Sequence, residues 1–289
     1  MSDVAAAEAG PASGSASATP VVCCDLDGVI WRGDAPIAGS DVGVATLRAA
    51  GLRVAFLSNN SSATIADVVA KLARCGIETS AETVLTSAVA AAHLLSDALE
   101  QGARVLACAG PGVVEALETA GFRVVREPPA AAVVVGWHRD FDFDGLDRAS
   151  RAVREGARFV ATNLDATYPV PGGLVPGAGA LVAAVATASG RSPEVAGKPY
   201  PPTAALVHRR FGRHGVMVGD RPSTDGAMAD ALGWPFALVL SGVASAHPAG
   251  GGEAIPTPPP PFVADDLRAL APRLVAASAP APGRGTAGG

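Results

Sequence analysis

Two aspartates one residue apart, Asp25 and Asp27, end the apolar run V-V-C-C-D-L-D-G-V-I. Side chains alternate across an extended strand, so both carboxylates face one side while Leu26 faces the other. Carboxylates this close repel, and burial makes each costlier to keep ionised, so a cation, a proton or solvent has to compensate. Gly28 follows and lets the backbone turn sharply and approach a ligand. By itself the pair also fits a strand-end turn with two solvated aspartates. Calcium loops begin Asp-x-Asp-Gly too, but here a strand precedes, and no further oxygen ligand or glutamate follows at calcium-loop spacing.

Three other groups carry the same kind of chemistry. The segment F-L-S-N-N-S-S sets Ser58, Asn59 and Asn60 at a strand terminus just before a helix. Hydroxyl, amide and free backbone N–H groups at such a place form a phosphate cradle. A helix cap accounts for one of these polar residues, but not for four in a row. The tripeptide G-K-P presents Lys198, one of only two lysines, between apolar and proline neighbours. The other lysine, Lys71, falls mid-helix on an exposed-looking face and reads as a surface residue. Finally, V-M-V-G-D-R-P-S-T-D puts Asp220 at the end of another buried strand and Asp225 at the start of a helix; a solvated helix-entry aspartate is the plainer account of Asp225.

The elements that must position these residues are short apolar runs alternating with helical segments. Strands are expected over Val21–Leu26, Arg53–Leu57, Arg104–Ala109, Ala132–Val135, Arg158–Ala161, Val216–Val218 and Phe236–Leu240. Continuous apolar runs suit strands buried on both faces of a parallel sheet. Thr64 is placed to cap a helix with Ile65, Val68, Val69 and Leu72 on one face, and Gly76 to stop it. Ser87 and Ser223 similarly precede helical segments at Val89–Leu99 and Thr224–Leu232. This alternation predicts an α/β fold of sequential βα units, in which ligands sit at the carboxyl ends of the strands.

The chain has 289 residues, 49% of them hydrophobic, ample for one large core or for a core domain carrying a second, inserted one. The longest uncharged apolar stretch, roughly 177–190, is too short to span a bilayer. No basic residue precedes an apolar run within the first twenty residues, so no secretory signal is read there and a cytoplasmic protein without a membrane partner is expected. With 22 basic and 27 acidic residues and no basic run, the chain lacks an electrostatic footprint for nucleic acid. Cys23, Cys24, Cys75 and Cys108 show no metal-ligand spacing and read as reduced thiols. Residues 1–19 and 276–289 are Ala/Gly/Pro/Ser tracts expected to be disordered, and His247–Pro261 reads as an extended surface loop.

Taken in order, D-L-D-G-V, F-L-S-N-N, G-K-P and G-D-x-x-x-T-D resemble the four motifs of the haloacid dehalogenase superfamily of phosphohydrolases. The long interval between the second and third motifs contains V-V-V-G-W-H-R-D-F and A-T-N-L-D-A-T-Y-P. It looks like the large α/β cap of the subgroup that contains NagD, p-nitrophenyl phosphatase and phosphoglycolate phosphatase. The resemblance implies a Rossmann-like parallel-sheet core formed by residues 20–79 and 194–275, with a C2-type α/β cap inserted at 80–193. It makes Asp25 the nucleophile and Asp27 the general acid/base. Ser58, Asn59 and Asn60 would bind the phosphoryl group, with Lys198 neutralising it and holding the nucleophile. Mg²⁺ would be held by Asp25, Asp220 and the backbone carbonyl of Asp27, with Asp225 in support. The cap loop Asn163–Pro176 would confer specificity through Asp165, Thr167 and Tyr168, and caps of this kind form homodimer contacts. His138 stands where relatives often have an acidic residue or an aromatic, and reads as a surface residue.

The implied activity is a Mg²⁺-dependent phosphomonoesterase acting on a small phosphorylated metabolite. A phosphotransferase using the same site and a non-catalytic binding or regulatory relative are the alternatives. Loss of Asp25 or Asp27 would mark the latter, and both are present. P-loop chemistry is excluded by the absence of G-x-x-x-x-G-K-[ST], and dinucleotide binding by the missing glycine fingerprint.

Overall fold

The computed structural model describes residues 19–170, 173–245 and 252–278. Six parallel strands form the first sheet, in the order Phe262–Ala264, Phe236–Val239, Gly215–Gly219, Val21–Asp25, Arg53–Ser58, Val84–Thr86. Every residue of Val21–Asp25 is buried, and its side chains alternate between two apolar layers. Val22 and Cys24 join Val54, Phe56 and Val218 on one face; Val21 and Cys23 join Ala55, Leu57 and Met217 on the other. Helices Ser40–Ala49, Ile65–Arg74 and Leu267–Ser278 cover the first face. Ser87–Ser96, Pro201–Phe211 and Ala227–Leu232 cover the second. Helices on both faces explain why these strands read as continuous apolar runs.

A second parallel sheet has the order Glu194–Val195, Arg158–Ala161, Ala132–Val135, Arg104–Cys108, Arg123–Val125. Helices Phe143–Arg154 and Ala178–Ser189 close one of its faces. Its other face shares a continuous apolar cluster with the first sheet. The link is Ser87–Ser96, which packs against both Pro111–Thr119 and Pro201–Phe211. Ala88, Ala90, Ala91, Ala92 and Leu95 are all buried there, as befits a helix that is apolar almost all round. An antiparallel hairpin, Thr167–Val170 with Gly173–Pro176, projects from this layer.

Ile65–Arg74 has the expected ends. The Thr64 hydroxyl accepts from the Asp67 N–H (3.1 Å), the Asp67 carboxylate accepts from the Thr64 N–H (3.2 Å), and Gly76 leaves the helix at φ 79°. Elsewhere the caps differ from expectation. Thr86, one residue earlier than Ser87, caps Ser87–Ser96, because the Ser87 hydroxyl donates to the Asn59 carbonyl instead (2.6 Å). Ser223 caps nothing. It lies in a wide π-type turn, Pro222–Gly226, and bonds the Glu253 carboxylate.

Strand pairing also moves the expected boundaries. Val84–Thr86 falls within 80–193 yet pairs with Arg53–Ser58, whereas Glu194–Val195 falls outside that range yet pairs with Arg158–Ala161. Strands of two or three residues are too short to show a hydrophobic period. The last helix runs through Ser278, past the expected tail start at 276, because Leu267, Leu270, Ala271 and Leu274 bury against the first sheet. The expected tails at 1–18 and 279–289 lie outside the described residues, as does 247–251 of the expected surface loop. The rest of that loop contains a two-residue strand, Glu253–Ala254, beside Ala244–Ser245. Among the described residues no helix is long and apolar enough to cross a membrane.

Candidate active site

Strand ends and the loops after them converge on one buried cluster. Val21–Asp25 delivers Asp25 and, two residues on, Asp27; Arg53–Ser58 delivers Ser58; Gly215–Gly219 leads directly into Asp220. Asp225 comes from the π-type turn, and Lys198 from the connection between Glu194–Val195 and Pro201–Phe211. Lys198 is 4% exposed, with Nζ 2.7 Å from Asp25 Oδ1, 2.7 Å from Asp225 Oδ1 and 3.3 Å from the Leu57 carbonyl. All three ammonium protons are thereby used. Burial pushes the lysine pKa down, but Asp225 and Asp25 beside it more than offset this and hold it above the ordinary lysine range. Burial also pushes the Asp25 carboxyl well above its usual value; Lys198 opposes that rise, while Asp225, Asp220 and Asp27 add to it. Asp220 is raised to about 6 by burial and by Asp225, against the pull of its hydrogen bond from the Val243 N–H.

Asp25, Asp220 and Asp225 each place a carboxylate oxygen within 4.8 Å of the others. Three buried acids face a single lysine, so negative charge is left uncompensated, and the donors are all oxygen. That set fits a hard divalent cation. The backbone is shaped around it: a Cβ at Gly28 would lie 2.3 Å from Asp220 Oδ2, and one at Gly242 would lie 1.9 Å from it. Asp225 is fully buried and accepts from Lys198 on one oxygen and from the Arg221 N–H (3.1 Å) on the other. It anchors the lysine and supports the cluster from beneath.

Asp27 is half-buried, and its Oδ1 accepts from the Trp31 indole N–H at 3.0 Å. Burial raises its pKa, opposed by the Lys71 charge and by that hydrogen bond. Lys71 is therefore not the bland surface lysine its helical position suggested. Its Nζ lies 4.4 Å from the Trp31 ring centroid, donates to the Gly33 carbonyl at 2.6 Å and pairs with Asp34 at 3.6 Å. The small hairpin Trp31–Arg32/Ala35–Pro36 folds back onto Ile65–Arg74, a contact that helical periodicity does not reveal.

Ser58 is buried and its Oγ accepts from the Asn60 N–H (3.0 Å), which leaves the hydroxyl proton free to donate. The two asparagines line the same pocket, and their side chains bond to neighbouring segments. Asn59 accepts from the Lys198 N–H (2.8 Å) and donates to the Lys198 carbonyl (3.1 Å), clasping the lysine's main chain. Asn60 accepts from the Ser62 N–H (3.0 Å) and donates to the Tyr168 hydroxyl (3.2 Å).

Above this floor lies a pocket of about 330 Å³, walled by Asp165, Thr167, Tyr168 and Trp137. Trp137 stacks on Tyr168 with ring centroids 4.7 Å apart and donates to the Pro176 carbonyl (2.9 Å). Asp165 is tied to Asn59 at 3.4 Å. Burial, with Asp27 and Asp34 adding, pushes the Tyr168 hydroxyl up to about 12, so it keeps its proton at neutral pH. Arg32, Arg221, Gly242 and Val243 also line the pocket and were not foreseen. Arg221 directly follows Asp220 in sequence, an adjacency that was the available signal, whereas Arg32, five residues past Asp27, carried none. His138, beside Trp137, is half-buried rather than surface: it bonds the Gly136 carbonyl (2.9 Å) and meets Phe141 edge-on.

An α/β enzyme that gathers buried acids and a lysine at the carboxyl ends of parallel strands, under an inserted α/β layer, belongs in class with the phosphohydrolases. The comparisons with known proteins agree. A family model described as haloacid dehalogenase-like hydrolase matches residues 22–123, and a second model of HAD-hydrolase-like chains matches 195–270. The D-glycerol 3-phosphate phosphatase of Mycobacterium tuberculosis is 40% identical over 250 residues, covering 85% of this chain and 69% of that one. The dihydroxyacetone phosphatase of Corynebacterium glutamicum is 33% identical, over 76% and 80% of the two chains. Among solved structures, the M. tuberculosis glycerol phosphate phosphatase in complex with magnesium superposes with a TM-score of 0.79 at 38% identity, covering 87% of this chain and 77% of that one. The p-nitrophenyl phosphatase of Archaeoglobus fulgidus gives 0.78 at 28% identity, over 90% and 99%. The chain belongs to the haloacid dehalogenase-like hydrolase family, among its phosphatases.

Proposed function

We propose that the chain is a Mg²⁺-dependent phosphomonoesterase acting on a small phosphorylated metabolite through an aspartyl-phosphate on Asp25. The observation that carries the reading is the Asp25–Lys198–Asp225 chain of 2.7 Å contacts beside Asp220, at the floor of one small pocket. Asp25, Asp220 and the main-chain carbonyl of Asp27 would hold Mg²⁺, which would supply neutralisation of phosphoryl charge. Lys198 offsets the repulsion between the Asp25 carboxylate and a phosphate dianion. As Asp25 attacks phosphorus, the acyl-phosphate bond forms and the ester P–O bond breaks. The departing alkoxide takes its proton from Asp27. Water then attacks the acyl-phosphate, giving a proton back to Asp27 and releasing Asp25 and inorganic phosphate. Ser58, with its hydroxyl proton free, is placed to hold a phosphoryl oxygen.

The pocket's volume suits a small ester at the lower end of ligand sites. Asp165 accepts from hydroxyls, and Tyr168 stays protonated to donate to them. Together with the glycerol phosphate and dihydroxyacetone phosphatases among its relatives, this favours a hydroxylated three-carbon phosphate as substrate. The test is a phosphomonoester panel with Mg²⁺, repeated with EDTA and with Asp25→Asn. Turnover that survives in Asp25→Asn rules out the mechanism. Failure of glycerol 3-phosphate and dihydroxyacetone phosphate to rank above aromatic and nucleotide esters rules out the substrate class.

A further inference from the structure

We infer that Trp31 and Lys71 are positioning residues for Asp27, fixing which of its two oxygens serves the leaving group; the inference rests on Asp27 being the acid. Trp31 is 4% exposed and packed with Val29 and Ile30 in the core, so its ring does not swing freely. The turn that carries it is closed by the Gly28 N–H to the Trp31 carbonyl (2.7 Å) and by the Trp31 N–H to the Leu26 carbonyl (3.2 Å). The indole N–H donates to Asp27 Oδ1 at 3.0 Å. An oxygen already accepting an N–H bond is the poorer place for the carboxyl proton, which leaves Oδ2 to give and take it. Lys71 lies on the face of the same ring, 4.4 Å from its centroid, and its bond to the Gly33 carbonyl pins the hairpin beyond Trp31. A cation over an indole attracts the ring and polarises its N–H toward the acceptor. The two lysines of the chain thus serve the two motif aspartates, Lys198 directly at Asp25 and Lys71 through Trp31 at Asp27.

The test compares an ester that needs an acid with one that does not. Glycerol 3-phosphate leaves as an alkoxide and depends on protonation; p-nitrophenyl phosphate leaves as a stable phenolate and does not. The constant to compare is kcat/KM, because it stops at formation of the acyl-phosphate and so excludes the later water step. Trp31→Phe keeps the ring and removes the donor. It should lower kcat/KM for glycerol 3-phosphate by about 10- to 100-fold, the range expected for losing a hydrogen bond to a charged group, and for p-nitrophenyl phosphate by less than about threefold. Lys71→Met should act in the same direction by about 3- to 10-fold, with Lys71→Arg restoring the alkyl ester. These two variants keep the inference testable if Trp31→Phe fails to fold. Equal loss on both esters, no loss on either, or no rescue by arginine overturns it. Asp27→Asn separates the two layers: if it spares glycerol 3-phosphate, Asp27 is not the acid and both readings fall. If it selectively impairs that ester while the Trp31 and Lys71 variants stay silent, only the positioning inference falls.

Discussion

Replacing Lys198 by methionine tests the electrostatic arrangement of the site apart from catalysis. The ammonium is 4% exposed and makes 2.7 Å contacts to two carboxylates, of which Asp225 is fully buried. Methionine fills the lysine stem but leaves those charges without their counter-ion. Removing one partner of a buried ion pair costs about 3–5 kcal/mol, since the remaining charge stays desolvated. At about 2–4 °C per kcal/mol for a chain of this size, the metal-free variant should melt roughly 6–20 °C lower at pH 8. The sign of the pH dependence follows from the carboxylates. Asp220, raised by burial and Asp225 to about 6, contributes stability that is fully present below the ordinary carboxylate range and is lost as pH rises through about 6; Asp25 has the same sign. Without the lysine more negative charge is stranded at high pH, and protonation relieves it at low pH. The gap between variant and parent should therefore be widest at pH 8 and narrow at pH 5. Thermal denaturation in EDTA at pH 5, 6, 7 and 8 measures it. A gap that is constant across the series, or below about 1 kcal/mol at pH 8, would refute the reasoning.

Three further outcomes are expected. Gly242→Ala drives a methyl into Asp220, with a Cβ 1.9 Å from Oδ2; a Mg²⁺ titration of the melting temperature should shift its midpoint upward by at least about tenfold, roughly 1.4 kcal/mol. In the parent, the melting-temperature gain from saturating Mg²⁺ should shrink as pH falls below about 6, because the cation must displace a proton from Asp220; a gain unchanged from pH 8 to 5 would contradict that pKa. Asp165→Ala should raise KM for glycerol 3-phosphate by about tenfold, through loss of a hydrogen bond to a charged acceptor, and leave the Mg²⁺ midpoint unmoved. Parallel changes in both would mean that Asp165 acts on the metal cluster instead.

The parallel α/β fold was legible because its signals are local. Val21–Asp25 and Arg53–Ser58 are apolar throughout, and a strand buried on both faces has to be. The placement of Asp25, Ser58 and Asp220 at strand ends was legible for the same reason: polar residues abruptly ending an apolar run lie at the carboxyl edge of a parallel sheet. The capping box at Thr64 and Asp67 is likewise readable from a spacing of three residues. Val84–Thr86, Arg123–Val125 and Glu194–Val195 were missed because two or three residues carry no period, and their pairing partners alone make them strands.

What the sequence determined by itself was which side chains stand at the strand ends and with what charge, since alternation and capping depend on residues a few positions apart. Tertiary structure alone decided what each group bonds to. Asn59 clasps a lysine 139 positions away, Asn60 reaches Tyr168 across 108, and Lys71 turns from a helical surface residue into the cation over Trp31. A hydrogen bond or a cation–π contact is settled by proximity within a few ångströms, and proximity between distant segments comes into being only when the two sheets and the hairpins between them have packed.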